Sequence, residues 1–180
     1  MTGQPSEARV LLMGMMAVGK STVGGALAAA TGWPYVDNDE LVLRANGVTT
    51  RQVLDTGGRP AIRQAESRAL RQALAEPAPL VAGVAAGVVE IEDDIATLRS
   101  ADALVVWLHA PIEVLVQRVG TGEDRPWLSP DPEAALRRLA EGRDPIYSSL
   151  ADLSLDTSAT STGECVQRIL DALGPLAHPS

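Results

Sequence analysis

The chain has 180 residues, 46% of them hydrophobic and 21% charged, enough apolar material for one globular domain and too much for a disordered segment. Fifteen Lys and Arg against 23 Asp and Glu leave a formal charge of −8, which argues against a nucleic-acid partner, since phosphate backbones demand clustered positive charge. The single cysteine, Cys165, permits no intramolecular disulfide, residues 1–8 lack the apolar core of a signal peptide, and no apolar run approaches a membrane span, so a cytoplasmic location with no membrane partner is expected.

The first element in chain order is an apolar strand over Val10–Met13, followed at once by Gly14-Met15-Met16-Ala17-Val18-Gly19-Lys20-Ser21-Thr22 and then by a helix over Lys20–Ala30. Strand, glycine-rich turn and helix in that order satisfy the nucleotide-binding P-loop pattern. Its two glycines let backbone N–H groups and the helix N-terminus wrap an anion, Lys20 reaches the β- and γ-phosphates, and the Ser21 hydroxyl suits Mg²⁺. Gly14, Ala17, Val18, Gly19, Lys20, Ser21 and Thr22 are therefore the expected contacts of a nucleoside triphosphate.

Gly32-Trp33-Pro34 punctuates, and Tyr35-Val36 begins a second strand that ends at Asp37. The pattern then predicts a helix over Glu40–Ala45, with Asp37, Asn38 or Asp39 available as its cap, and another from a Thr49 cap to Asp55. Gly57-Gly58-Arg59-Pro60 reads as a turn with proline at the start of a helix over Ala61–Ala75. Buried strands are expected at Leu80–Val84 and Ala103–Leu108, with Gly87 soon after the former and a helix from Pro111 to Val119 after the latter. Residues 120–132 are dense in Gly, Pro and charge and read as a loop. A helix over Glu133–Gly142, a short strand over Asp152–Asp156 and an amphipathic helix over Gly163–Leu173, with Cys165 as a small packing residue, complete the domain before a frayed tail at 174–180.

Strands alternating with helices imply an α/β fold with a parallel sheet covered on both faces. No Asn-Lys-x-Asp motif of GTPases is present, and the chain is short for a large ATPase or helicase. A small P-loop domain whose Gly/Pro/Arg loop could close over phosphates points to a kinase of small molecules.

From about Val10 to Leu173 the sequence resembles the shikimate kinase family. Asp37-Asn38-Asp39 resembles the family's Asp-x-Asp, which implies that Asp37 holds Mg²⁺ through water and that Asp39 binds acceptor hydroxyls and serves as the base. Gly57–Glu66 resembles Gly-Glu-x-x-Phe-Arg-x-x-Glu and places Arg63 where the family grips the shikimate carboxylate. Arg125-Pro126-Trp127-Leu128 resembles the lid signature, with Arg125 over the ATP phosphates. Arg143-Asp144-Pro145-Ile146-Tyr147 resembles Arg-x-Pro-x-Tyr, making Arg143 the second carboxylate clamp, and Arg118 matches a position beside the adenine. The resemblance implies a three-layer P-loop kinase with a five-stranded parallel sheet in the order 2-3-1-4-5 plus a lid, ATP and Mg²⁺, Lys20, Asp39 and Arg125 as catalytic residues, and a monomer acting on a small acceptor.

The acceptor side departs from the family. Its Gly-Gly-Gly run becomes Ala85-Ala86-Gly87, so Ala86 and Gly87 are the expected acceptor-side backbone, with Cβ atoms adding bulk and restricting φ. The chain has no Phe; Leu54 and Ile62 stand at the family's pocket phenylalanines, Arg59 replaces a Glu, and Trp127 a lid leucine. Shikimate is the leading acceptor. Gluconate, a cyclitol or a nucleoside monophosphate remain alternatives, as does a non-catalytic ATP-binding protein.

Overall fold

The computed structural model describes residues 8–120, 128 and 130–174. The elements run β1 (Arg9–Met13), α1 (Lys20–Thr31), β2 (Tyr35–Val36), α2 (Asn38–Asn46), α3 (Thr50–Ala75), β3 (Leu80–Gly83), α4 (Glu92–Arg99), β4 (Leu104–His109), α5 (Ile112–Val119), α6 (Pro132–Leu150), β5 (Leu153–Asp156) and α7 (Thr162–Leu173). The strands make one parallel sheet in the order β2-β3-β1-β4-β5, the expected order.

β1 is the central strand, and Val10, Leu11, Leu12 and Met13 are all fully buried because helices cover both faces of the sheet. Val10 sits opposite Val81 of β3 on one side and Leu104 of β4 on the other. Parallel strands deliver every following residue to the same edge. The loop after β1, Asp37 after β2 and Ala85–Gly87 after β3 therefore meet in one crevice at the carboxyl ends of the strands, where open α/β sheets bind ligands.

The boundaries differ from the sequence reading in four places. A helix not expected from the pattern, α4, fills the interval between β3 and β4; its N-cap is Ile91, whose side chain cannot accept a hydrogen bond, so the usual start signal is missing. It is tied down from outside by Asp94, fully buried, which accepts from Ser67 Oγ at 2.5 Å and from Arg71 at 3.5 Å. α2 begins at Asn38 rather than Glu40, capped by Asp37, one of the residues available for that role: its Oδ1 accepts from the Glu40 N–H at 2.9 Å. The expected turn before Pro60 survives as a kink inside α3, where Gly58 takes φ 63 and ψ −161. Finally, α6 continues past Gly142 and through Pro145 to Leu150, so Arg143 and Tyr147 project from a helix, both almost fully buried.

The remainder of α3, together with α2, forms the arm beside β2 that carries Arg59, Arg63 and Glu66. Most of the expected lid, residues 121–127 and 129, and with it Arg125 and Trp127, lies outside the described residues, as does the tail from 175. Among the described residues no helix is long and apolar enough to cross a membrane.

Candidate active site

Two positive-φ glycines shape the turn after β1. Gly14 has φ 140, and a Cβ there would come within 2.2 Å of the Leu108 carbonyl oxygen on β4; Gly19 has φ 104 and hands the chain into α1. Ala17, at φ 61, is the one non-glycine among the described residues in the left-handed region, a strain of about 1–3 kcal/mol that the surrounding loop must hold. Lys20 Nζ donates to the carbonyls of Gly14 at 2.8 Å and Met15 at 3.0 Å, so the cation is anchored across the mouth of the loop.

The loop is braced from the far side of the sheet. Thr157, just after β5, donates its hydroxyl to the Val18 carbonyl at 2.8 Å, and Arg118 on α5 donates to the same carbonyl at 3.3 Å and to Thr157 at 2.9 and 3.0 Å. Thr157 escaped the sequence reading, because a lone threonine after a short strand carries no signal of its partner 139 residues away. Arg118 borders both a cavity of about 280 Å³ that also takes in Ala17, Val18, Thr22 and Cys165, and the larger cavity described next.

That larger cavity, about 470 Å³, brings together Gly19, Lys20, Ser21 and Thr22 with Asp37, Asp39 and Ala86. Asp39 accepts from Thr50 Oγ1 at 2.7 Å, which orients its carboxylate from the first turn of α3. Tyr35 also lines the cavity and was not singled out in the sequence. A Cβ at Gly24 would lie 2.2 Å from its ring, and one at Gly83 2.8 Å from its hydroxyl, so both glycines make room for it. Its hydroxyl is buried without a well-formed hydrogen bond among the described residues, and burial pushes its pKa up although nearby Ser21 opposes the shift.

Met16, Glu66 and Ala86 border both this cavity and an adjoining one of about 110 Å³. The second cavity has an apolar wall of Leu54, Ile62 and Leu139 and a polar floor of Arg59, Arg63 and Arg143. Arg63 and Arg143 converge although they lie on different helices. Gly87 permits this: a Cβ there would stand 2.0 Å from an Arg63 guanidinium nitrogen. The two alanines that replace family glycines adopt no left-handed backbone, so the restriction expected at Ala85 and Ala86 costs nothing conformationally. The Ala86 carbonyl instead accepts the Tyr147 hydroxyl at 2.6 Å.

The sequence reading missed Glu90. It ends a short 3₁₀ turn after Gly87 whose Val88 and Val89 are buried, and its carboxylate lies between Arg63 and Arg143. Oε2 accepts from Arg63 Nε at 2.7 Å, and Oε1 from Arg143 Nε at 2.9 Å and from the Arg143 terminal nitrogen. Arg59 stands 3.8 Å from the same Oε1. Arg63 also donates to Glu66 at 2.5 Å. Burial would raise the Glu90 pKa, but the hydrogen bonds from Arg143 and Arg63 outweigh it and hold the carboxyl below its ordinary value. At Glu66 burial wins and the pKa is raised, with Arg63 opposing. The charge reversal noted at Arg59 thus has its counterpart in space at Glu90.

A P-loop, two carboxylates and an arginine pair at the edge of a 2-3-1-4-5 sheet can now be set beside known proteins. The family described as "Shikimate kinase" matches residues 16–174. The chain belongs to the shikimate kinase family. A shikimate kinase of Streptomyces avermitilis is 36% identical over 165 residues, covering 92% of this chain and 95% of that protein, and one of Chromobacterium violaceum is 34% identical over 168 residues, covering 93% and 90%. The structure of a shikimate kinase from Acinetobacter baumannii in complex with shikimate superposes with a TM-score of 0.84 at 29% identity, covering 93% of each chain. A gluconokinase from Sinorhizobium meliloti, 22% identical with a TM-score of 0.59, shares the fold alone. As a member of the family, the chain is an ATP-dependent kinase acting on a hydroxyl group.

Proposed function

We propose that the chain transfers the γ-phosphoryl group of ATP to a hydroxyl of shikimate, in the cytoplasm and as a monomer. The observation that carries this reading is the joining of the two cavities through Met16, Glu66 and Ala86, which sets the phosphate loop and Asp39 in the compartment next to Arg63 and Arg143. An acceptor with a carboxylate at one end and a hydroxyl at the other can span the two. The planar forks of Arg63 and Arg143 match a carboxylate as no lysine can, and the aliphatic wall of Leu54 and Ile62 suits the face of a ring.

The triphosphate occupies the loop Gly14–Thr22, with Arg118 beside the base. Lys20 releases the loop carbonyls to meet the β- and γ-oxygens, where its charge offsets what develops in transfer. Asp39, oriented by Thr50, aligns the acceptor hydroxyl and takes its proton as the bond to phosphorus forms. Arg125 is assigned to the transferring group by its place in the sequence motif.

Among the described residues no three acidic, His or Cys groups gather into a metal cluster. Mg²⁺ on phosphate substrates needs only one or two protein oxygens besides the phosphates, and Ser21 and Asp37, hard oxygen donors lining the cavity with Lys20, fit that requirement. Ser21 and Asp37 would hold the ion, which when bound would supply positive charge against that of the phosphates.

The test is coupled ADP release with Mg²⁺ and ATP, comparing shikimate with gluconate, cyclitols and nucleoside monophosphates. Turnover with shikimate well above the others is expected. Turnover with another acceptor and none with shikimate would overturn the assignment, and no ADP release with any acceptor tried would point to an ATP-binding protein without this activity.

A further inference from the structure

The carboxylate clamp is engaged from within. Glu90 makes with Arg63 and Arg143 the hydrogen bonds that an acceptor carboxylate would make, one carboxyl oxygen to each guanidinium. Both cannot hold the same nitrogens at once. The turn that presents Glu90 is pinned by buried Val88 and Val89, yet the side chain is one-third exposed while Arg143 is 4% exposed, so Glu90 is the member of the pair with room to leave.

A receiver stands beside it. Arg59 is on the solvent side, 57% exposed, and 3.8 Å from Glu90 Oε1, too long for a hydrogen bond but close enough to become one by a small rotation. The charges agree with this exchange. Arg59, Arg63 and Arg143 against Glu66 and Glu90 leave one positive charge, which one incoming carboxylate neutralises. Without Arg59 the cluster would be neutral, and seating a third carboxylate would leave it with one uncompensated negative charge.

We propose that Glu90 is a built-in occupant of the acceptor-carboxylate clamp, displaced from Arg63 and Arg143 on to Arg59 when the acceptor binds, so that Glu90 and Arg59 together set acceptor affinity. The inference rests on the reading that Arg63 and Arg143 take an acceptor carboxylate. Its energetic consequence is a reduction of apparent affinity by the fraction of molecules in which the clamp is vacant; a vacant fraction of about one tenth weakens binding about tenfold.

The experiment measures shikimate KM and ATP KM in the full chain, together with calorimetric titration of shikimate, for the wild type, Glu90→Ala, Glu90→Gln, Arg59→Ala and the Glu90→Ala/Arg59→Ala pair. Removing Glu90 should lower shikimate KM and Kd about tenfold and leave ATP KM within about twofold, a split that general loosening of the fold would not produce. Glu90→Gln, which keeps the shape and a hydrogen-bonding group, should move in the same direction and serves if the alanine variant fails to fold. Arg59→Ala should weaken shikimate binding when Glu90 is present and have less effect when it is absent, a coupling the double variant reads directly. Unchanged or weaker shikimate binding in both Glu90 variants overturns the proposal, and so does an absence of shikimate binding in all the proteins. Tighter shikimate binding by the variants without wild-type turnover would leave the proposal standing and remove shikimate as the natural acceptor.

Discussion

The Tyr147 hydroxyl donates to the Ala86 carbonyl oxygen at 2.6 Å, joining the middle of α6 to the loop that follows β3. Tyr147 is fully buried, and burial drives its phenol far above the ordinary value, so it remains a donor at any working pH. The same helix turn presents Arg143, so one bond sets the spacing between that arginine and the Ala86 backbone across the cavity they both line.

Tyr147→Phe should therefore raise shikimate KM more than ATP KM and cost about 1–2 kcal/mol of stability, because the Ala86 carbonyl loses its partner. Urea denaturation gives the second quantity and steady-state kinetics the first. Unchanged shikimate KM with lowered stability would confine the bond to a structural role.

Lys20→Met should reduce kcat by about a hundredfold or more, the usual cost of losing a charge aimed at the transferring group. Since Lys20 also ties together the carbonyls of Gly14 and Met15, a thermal melt must accompany the assay. Near-wild-type turnover from a folded variant would remove Lys20 from the mechanism.

Arg63→Lys preserves the charge beside Glu66 but loses the planar fork. We expect shikimate KM to rise about tenfold with little change in ATP KM. Arg63→Ala is a poorer test, for it leaves the buried Glu66 without its 2.5 Å partner and destabilises the arm. A rise in ATP KM in the lysine variant would mean that Arg63 serves the nucleotide instead.

Glu90 gives the acid stability a definite sign. Its folded pKa is depressed, so its contribution is present in full above the ordinary value of 4.5 and is lost as pH falls below it. Glu66, raised by burial, works in the opposite sense, and its stabilisation fades as pH rises. Wild type should therefore lose more stability than Glu90→Gln between about pH 6 and pH 3, and equal losses in chemical denaturation would show that the Glu90 ion pairs contribute nothing to folding.

Much of the molecule was legible before any coordinates. β1, the phosphate loop and the start of α1 follow from local chemistry: an unbroken apolar run, glycines at two of the three positions where φ is positive, and a lysine at the head of a helix. The resemblance of four short motifs to one family supplied the sheet order, and Arg63 and Arg143 do converge. α4 stayed hidden because its cap is an apolar residue, and the length of α6 because Gly142 and Pro145 read as breakers while buried Arg143 and Tyr147 hold the helix through them.

By itself, then, the sequence determined the nucleotide half of this protein, because a P-loop is local: its ligand contacts come from consecutive residues whose backbone geometry their own identities dictate. The acceptor half was decided in three dimensions. Arg59, Arg63 and Glu66 come from α3, Glu90 from the turn after β3, and Arg143 from α6, and a charge 27 residues from one partner and 53 from the other has no local signature. Only the parallel sheet, which delivers each following loop to one edge, places that carboxylate between two guanidinium groups and makes the change at Arg59 intelligible.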